Sequence, residues 1–328
     1  MNSEGSKKMS KSTLKGAIVI LFASALFGTL GTVTGLAYQN GMAPASFAAW
    51  REAIGTIMMF ILLALGIGRP AKEERIPFSK VSGREKRNVC IAAVAFMTFS
   101  LAIFYAFGLV TVALALLIFY TYPAFVTIIG GITGKETITA SKIGALIMAL
   151  GGGVLVVVGQ LIGSPVQVRV LGIILAIVAA LADTVYFTVG RDGYPSIPPA
   201  YATIFFLFAG AIVFGIIALV TGGIESLTVP FHKPSLLPIL AFAGVFGAAI
   251  PTIMILSGIR MIGASRASIL ALFEPVVGVV LASIVLGQKM FLIQIIGGVL
   301  VLGAAVVLQL APEPKAIEKS TQPKSPKV

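Results

Sequence analysis

The sequence has few of the residues from which metal centres, disulfides and catalytic sites are built. Its one cysteine, Cys90, excludes an internal disulfide and any cysteine-based metal cluster. Its one histidine, His232, lies in a predicted loop, where a solvated side chain is the simpler interpretation than a metal ligand. We therefore predict no metal, no cofactor, no catalytic residue and no enzymatic activity, because a membrane-embedded enzyme would need clustered His, Asp or Ser at catalytic spacing.

Charged residues are also scarce. They make up 11% of the chain, whereas soluble domains carry about 25%. Apolar residues make up 58%, and the mean hydropathy is +1.04. These values predict an integral membrane protein. The net charge of +12 does not indicate nucleic-acid binding, because the basic residues lie in short loops and tails with no soluble domain to hold them.

Long apolar runs fill most of the sequence. A helix needs about 20 residues to cross a hydrocarbon core of about 30 Å, and ten runs are long enough. They cover approximately residues 14–37, 44–66, 88–109, 111–131, 141–160, 169–190, 199–221, 236–258, 265–287 and 290–310. The predicted fold class is an all-α integral membrane protein with ten transmembrane helices.

The basic residues predict the orientation of these helices. Ten spans place both termini on one side of the membrane. Of the 24 basic residues, Arg51 lies inside a span and only Arg169, Lys233 and Lys289 lie in links on the opposite side. Because basic residues favour the cytoplasmic side, we expect a multi-pass protein of the cell membrane with both termini in the cytoplasm. The polar tails, 1–12 and 312–328, are predicted to be disordered and basic.

The two halves of the chain, 13–162 and 168–310, align with one another. Gly16 matches Gly172, Pro123 matches Pro275 and Gly144 matches Gly297, at a nearly constant spacing. Each half contains five predicted spans, an odd number, so the second half is inverted relative to the first. Inverted repeats of this kind are typical of secondary transporters.

Prolines inside the predicted spans indicate interrupted helices. Pro123, Pro251 and Pro275 each lack the N–H group that would bond to the carbonyl four residues earlier. The pairs Tyr122-Pro123 and Glu274-Pro275 stand at matching places in the two halves. Two interrupted helices at matching places predict a binding site between them.

With these repeats and interrupted helices, the chain resembles the drug/metabolite transporter superfamily, in its EamA-type ten-helix form. The resemblance covers about residues 14–310. It is carried by the 5+5 spans, Tyr122-Pro123 with Gly134-Lys135-Glu136, Glu274-Pro275-Val276-Val277 with Leu286-Gly287-Gln288, the Gly144 and Gly297 helices, and Ala49-Trp50-Arg51. The family usually has Gly-Glu where this chain has Gly287-Gln288. The second-half counterpart of Arg51 is about Leu207, so that feature is not duplicated.

The resemblance implies a central cavity between helices of both repeats, with the fifth and tenth helices at the periphery. It also implies transport of amino acids, amines or related metabolites and drugs, often in the export direction. It says little about the individual substrate.

Two acidic residues lie deep in the second half. An ionisable group near the centre of a bilayer costs roughly 2.5 kcal/mol or more, so each needs an explanation. Glu274 could carry a proton, neutralise a cationic solute or hold a kinked helix. Asp183 could line the cavity together with Tyr186, or form a hydrogen bond between helices.

Arg51 and Glu52 lie inside the second span. Their side chains leave the helix about 100° apart, so the sequence does not predict that they pair with one another. Arg51 could bind a solute carboxylate, pair with an acid on another helix, or extend to the lipid headgroups.

Several aromatic residues with polar atoms also lie inside spans. They could form a wall for a ring or an ammonium group, or they could be plain packing. They are Trp50, Tyr105, Tyr120, Tyr122 and Tyr186. The candidate solute-binding residues are thus Arg51, Tyr105, Tyr120, Tyr122, Asp183, Tyr186 and Glu274.

The sequence as a whole favours a secondary transporter of small organic solutes that works by alternating access. Its partners are the solute and the lipid bilayer, and protons could couple through Glu274 or Asp183. The sequence does not determine the oligomeric state, and a homodimer is one alternative. The alternative is a channel or uniporter, although the sequence contains no repeated ring of charge and no carbonyl filter.

Overall fold

A computed structural model of the 328-residue chain describes residues 11–69, 76–162, 168–286 and 290–310. The described residues form helices and no strand, which confirms the all-α fold class. The helices are α1 Lys11–Phe27, α2 Leu30–Gln39, α3 Pro44–Ala64, α4 Gly83–Leu109, α5 Val112–Phe119, α6 Tyr122–Ile132, α7 Ala140–Leu161, α8 Val170–Asp192, α9 Pro199–His232, α10 Leu236–Gly244, α11 Ile250–Ile262, α12 Ala264–Ala271, α13 Glu274–Leu286 and α14 Leu292–Leu310.

Parts of the sequence prediction fall outside these ranges. The predicted disordered tail 312–328 lies outside them, as does 1–12 except for Lys11 and Ser12, which begin α1. Gly287 and Gln288 of the second proline-helix motif also lie outside the described residues.

The helices form ten transmembrane segments. In the described ranges, nine segments are long and apolar enough to cross a bilayer, and Leu292–Leu308 forms a shorter apolar helix. Four of the ten are composite: α1 with α2, α5 with α6, α10 with α11, and α12 with α13. Gly223, with a φ of 64°, divides α9 near the predicted end of the seventh span. The expectation of ten transmembrane helices is confirmed.

The two halves pack with two-fold symmetry. α3 packs on α9 and α7 packs on α14, and each of these pairs joins equivalent helices of the two repeats. The α4–α8 contact and the α1–α11 contact are copies of one another. Matching glycines lie in these two contacts: a Cβ on Gly16 would lie 3.0 Å from Met261, and one on Gly172 would lie 3.0 Å from Leu109. The contacts between helices thus have the two-fold symmetry that the alignment of the two sequence halves indicated.

The predicted proline breaks occur at equivalent positions. α5 ends at Phe119 and α6 begins at Tyr122, while α12 ends at Ala271 and α13 begins at Glu274. The proline is the second residue of α6 and of α13, where its missing N–H group is not needed. Tyr122 and Glu274 therefore open the two matching half-helices.

Pro251 has a different effect, because it widens its helix instead of interrupting it. A π-helical segment, Val245–Ala249, joins α10 directly to α11. Pro251 cannot donate to the carbonyl of Gly247, four residues earlier, and a guanidinium nitrogen of Arg51 donates to that carbonyl instead. The break that we predicted at Pro251 is therefore a π-bulge, a feature often found at functional sites.

A further interruption, at Gly28 and Thr29 between α1 and α2, was not predicted. It lies against the break between α12 and α13. A Cβ on Gly28 would lie 2.7 Å from the carbonyl oxygen of Glu274 and 3.1 Å from the Cβ of Val277. Only a glycine lets these two interrupted spans approach so closely.

Gly28→Ala is expected to lower the free energy of unfolding by about 1–3 kcal/mol, because the added methyl group meets backbone atoms that cannot move aside. Gly35→Ala, in the same span, is the matched control, since a Cβ there meets no atom within 4 Å. Alanine at Gly35 should be neutral or stabilise α2 by up to about 1 kcal/mol. Unfolding of both variants in detergent micelles measures the difference, and equal stabilities would contradict the close contact at Gly28.

Candidate functional site

A central cavity of about 640 Å³ lies between the two repeats. Six of the seven candidate solute-binding residues line it: Arg51, Tyr120, Tyr122, Asp183, Tyr186 and Glu274. Pro275 lines it as well, whereas Tyr105, Pro123 and Pro251 are not among its described lining residues. Tyr105 is half-buried and lies near Tyr38 instead. The fold thus gathers candidate residues that are up to 223 positions apart in sequence into one space.

Two carboxylates lie in this cavity. Asp183 projects from α8 and is 4% exposed, and Glu274 opens α13 and is half-buried. The two are close enough to interact electrostatically, both also lie near Tyr122, and Tyr120 lies near Glu274. Neither carboxylate belongs to an ion pair among the described residues. The cavity lining therefore contains two acids without a basic partner.

Aromatic rings form a continuous wall next to the acids. The ring centroids of Phe99 and Phe119 are 6.2 Å apart, those of Phe119 and Tyr122 are 5.1 Å apart, and those of Tyr122 and Phe187 are 5.2 Å apart. Tyr186 extends the wall, at 6.2 Å from Phe99. The sequence identified the tyrosines by their polar atoms but missed the phenylalanines, because a cavity-lining phenylalanine looks the same as a lipid-facing one.

Arg51 is fixed by neighbours inside the protein. It is 2% exposed, forms an ion pair with Glu52 and donates to the Gly247 carbonyl. Ser100 donates to Glu52 over 3.3 Å, and the guanidinium lies 5.3 Å from the ring centre of Phe104. The expectation that Arg51 does not pair with Glu52 is therefore wrong. Of the alternatives for Arg51, extension to the headgroups does not fit a side chain that is 2% exposed. The 100° separation on the helix was misleading because both side chains are long enough to bend towards each other.

The cavity extends towards one side of the bundle, which we call the opposite side because it lies away from the chain termini. Residues of its links line the cavity there: Thr111 between α4 and α5, Ile162 after α7, and Met290 and Phe291 before α14. The other side, the termini side, carries the links α3–α4, α6–α7, α8–α9 and α11–α12. Its closure depends on a different set of residues.

Glu136 joins the two halves on the termini side. Its carboxylate accepts from the Lys142 ammonium at 2.7 Å, the Arg191 guanidinium at 2.9 Å and the Ser265 backbone N–H at 3.1 Å. We call these four residues the Glu136 cluster. The side chains of Glu136 and Lys142 are each 7% exposed, and the Thr127 and Ser265 hydroxyls pair at 2.9 Å behind them. None of the four lines the cavity, and no residue of the termini-side links is among its described lining, so the cavity ends before this side in the described structure.

In the sequence, Lys142 and Arg191 are two of the basic residues that flank the predicted spans, and Glu136 belongs to the motif Gly134-Lys135-Glu136. Nothing in the sequence places the α6–α7 link beside the C-terminal end of α8 and the N-terminal end of α12. No group of three or more metal-binding side chains occurs in the residues that the structure describes.

Comparison with known proteins agrees with this architecture. A family model described as the EamA-like transporter family matches residues 14–158 and 170–310. The chain is 25% identical over 270 residues to an uncharacterized transporter of Archaeoglobus fulgidus. The matched region covers 82% of this chain and 90% of that protein. A solved crystal structure, with 19% identity and a TM-score of 0.71, covers 92% of this chain and 97% of its own, and shares the fold. The two matched segments coincide with the two packed repeats, and the chain therefore belongs to the EamA-like transporter family of multi-pass membrane transporters.

Proposed function

We propose that this chain is a secondary transporter of small organic solutes, namely amino acids, amines or related metabolites and drugs, that works by alternating access of its two repeats. The observation that carries the proposal is the asymmetry of the cavity. It extends to the opposite side, while the Glu136 cluster closes the termini side. A site at the repeat interface that is closed on one side is what alternating access requires.

The size and lining of the cavity support small organic solutes. A volume of about 640 Å³ lies within the range of about 300–1,000 Å³ for small-molecule sites. Its lining is mainly apolar and aromatic, with a few polar groups, as in sites that bind such molecules.

The orientation that the basic residues favour determines which compartment the described cavity faces. If the termini side is cytoplasmic, the described structure faces outward, and export requires the Glu136 cluster to open to the cytoplasm. We include proton coupling through Glu274 or Asp183 in the proposal, because both acids line the cavity without a basic partner among the described residues.

The proposal is tested by solute flux into proteoliposomes. A thermal-shift screen of the purified protein against amino acids, amines, nucleosides and sugars first selects solutes that bind the folded state. We expect initial rates of uptake to saturate with solute concentration. We also expect unlabelled solute inside the vesicles to accelerate uptake of labelled solute, because a carrier returns faster when it is loaded.

Protein-free liposomes are the control for leakage. Flux that rises linearly with concentration and shows no acceleration by internal solute would favour the channel alternative.

A further inference from the structure

We propose that the cavity selects organic cations, namely a protonated or quaternary amine on an apolar or aromatic body, and that the cation binds in exchange for protons on Asp183 and Glu274. This inference rests on the proposed function and specifies its substrate class. It follows from the charges, the rings and the unpartnered hydroxyl groups in the cavity lining, of which the Tyr186 hydroxyl is one.

The charged side chains of the cavity lining favour a cationic solute. Arg51 is the basic residue among the described lining, and its charge is already balanced by Glu52. Asp183 and Glu274 have no such partner among the residues that the structure describes. Two neighbouring carboxylates cannot both stay ionised in a low-dielectric cavity without a counter-charge, so either protons or a cationic solute must neutralise them.

The rings give the cation a second kind of contact. A cation within about 6 Å of a ring centre is attracted to the face of that ring. Tyr122 lies near both carboxylates, and Phe119 and Phe187 lie 5.1 and 5.2 Å from its ring. An apolar body attached to the nitrogen can therefore pack on the aromatic wall while the nitrogen lies at the acids.

The buried hydroxyl group of Tyr186 is a site that could accept a hydrogen bond from an N–H group of the solute. Tyr186 is 2% exposed and lines the cavity, and its hydroxyl has no hydrogen-bond partner within the described ranges. A buried polar group without a partner is costly, and a bound ammonium group could satisfy it. An anionic solute would instead be repelled whenever either acid is ionised, and the charge of Arg51 is already neutralised by Glu52.

Exchange for protons keeps the charge of the cavity balanced. The titratable groups that face Asp183 are Glu274, Tyr122 and Tyr186, and those that face Glu274 are Asp183, Tyr120 and Tyr122. No basic side chain is among them. When the amine enters, a carboxyl O–H gives its proton to the water of the open side and the carboxylate pairs with the nitrogen. When the amine leaves, the carboxylate takes a proton back.

The experiment uses the purified full chain and three probes with similar bodies: phenethylammonium, the neutral 2-phenylethanol and the anionic 3-phenylpropanoate. Isothermal titration calorimetry in two buffers with different ionisation enthalpies measures affinity and proton release together. We expect phenethylammonium to bind at least tenfold more tightly than either other probe, to release a proton, and to bind more weakly as the pH falls. Equal or tighter binding of the anion would overturn the inference without any variant.

Substitutions test which residues cause the preference for the cation and the release of the proton. Asp183→Asn with Glu274→Gln should abolish the preference for the cation and the proton release. Glu225→Gln, an exposed acid outside the cavity lining, is the matched control and should change neither. Unchanged cation binding in a folded double variant would also overturn the inference. If flux saturates only with neutral or anionic solutes, this inference fails alone, whereas no saturable flux with any solute would overturn the proposed function.

Discussion

Arg51→Met is expected to lower the free energy of unfolding by about 3–5 kcal/mol, the cost of breaking a buried ion pair by removing one partner. The substitution leaves the carboxylate of Glu52, which is fully buried, without its cation. It also leaves the Gly247 carbonyl without a donor, because Pro251 cannot supply one. Unfolding of the purified protein in mixed micelles measures the loss.

The double variant Arg51→Met with Glu52→Leu separates charge from packing. Replacing a whole buried pair by apolar residues of similar size is often nearly neutral, so the double variant should be more stable than Arg51→Met alone. It should stay below the wild type by about 1–3 kcal/mol, because the Gly247 carbonyl still lacks a partner. If the two substitutions instead add up to a greater loss than either alone, the ion pair is not the interaction that stabilises this region.

Local rules of the backbone explain which parts of this site the sequence predicted. A proline in a span removes a hydrogen bond wherever the chain places it, so the breaks at Pro123 and Pro275 were predictable, and so was the cavity that they adjoin. Ionisable and polar aromatic residues inside a span are costly against lipid, and for that reason Asp183, Glu274 and Tyr186 were candidates for the cavity. The structure places all three in its lining.

Features that depend on neighbours distant in sequence were not predictable. The interruption at Gly28 depends on the Glu274 backbone that lies against it, and no proline marks it. Arg51 bends towards Glu52 because the π-bulge in front of Pro251 presents a free carbonyl from the other half. The Glu136 cluster needs the ends of three other helices, whereas the sequence shows only scattered charges in links.

Glu136→Gln is expected to open the termini side. The substitution keeps the shape of the side chain but removes the charge that holds Lys142 and Arg191. Hydrogen bonds to charged groups contribute about 1.5–3 kcal/mol each, and the bonds from Arg191 and Ser265 to Glu136 join the two halves only while this side is closed. A loss of about 1.4 kcal/mol already shifts a two-state equilibrium tenfold. The reporter is Ser268→Cys in a Cys90→Ser background, because Ser268 is fully buried in α12 and Cys90 is exposed.

The expected result is at least tenfold faster labelling of the Ser268→Cys thiol by a water-soluble maleimide in the Glu136→Gln variant. Lys135→Gln is the matched control: it removes an ion pair with Asp192 on the same side, but both partners are nearly half exposed and such pairs contribute less than about 1 kcal/mol. A second reporter, Ile162→Cys at the opposite end of the cavity, where the side chain is 47% exposed, separates alternation from unfolding. Its labelling should slow when the termini side opens, because the repeats exchange which end is accessible. Faster labelling at both positions would mean that the variant has loosened the fold, and no change at Ser268→Cys would mean that the Glu136 cluster does not hold this side closed.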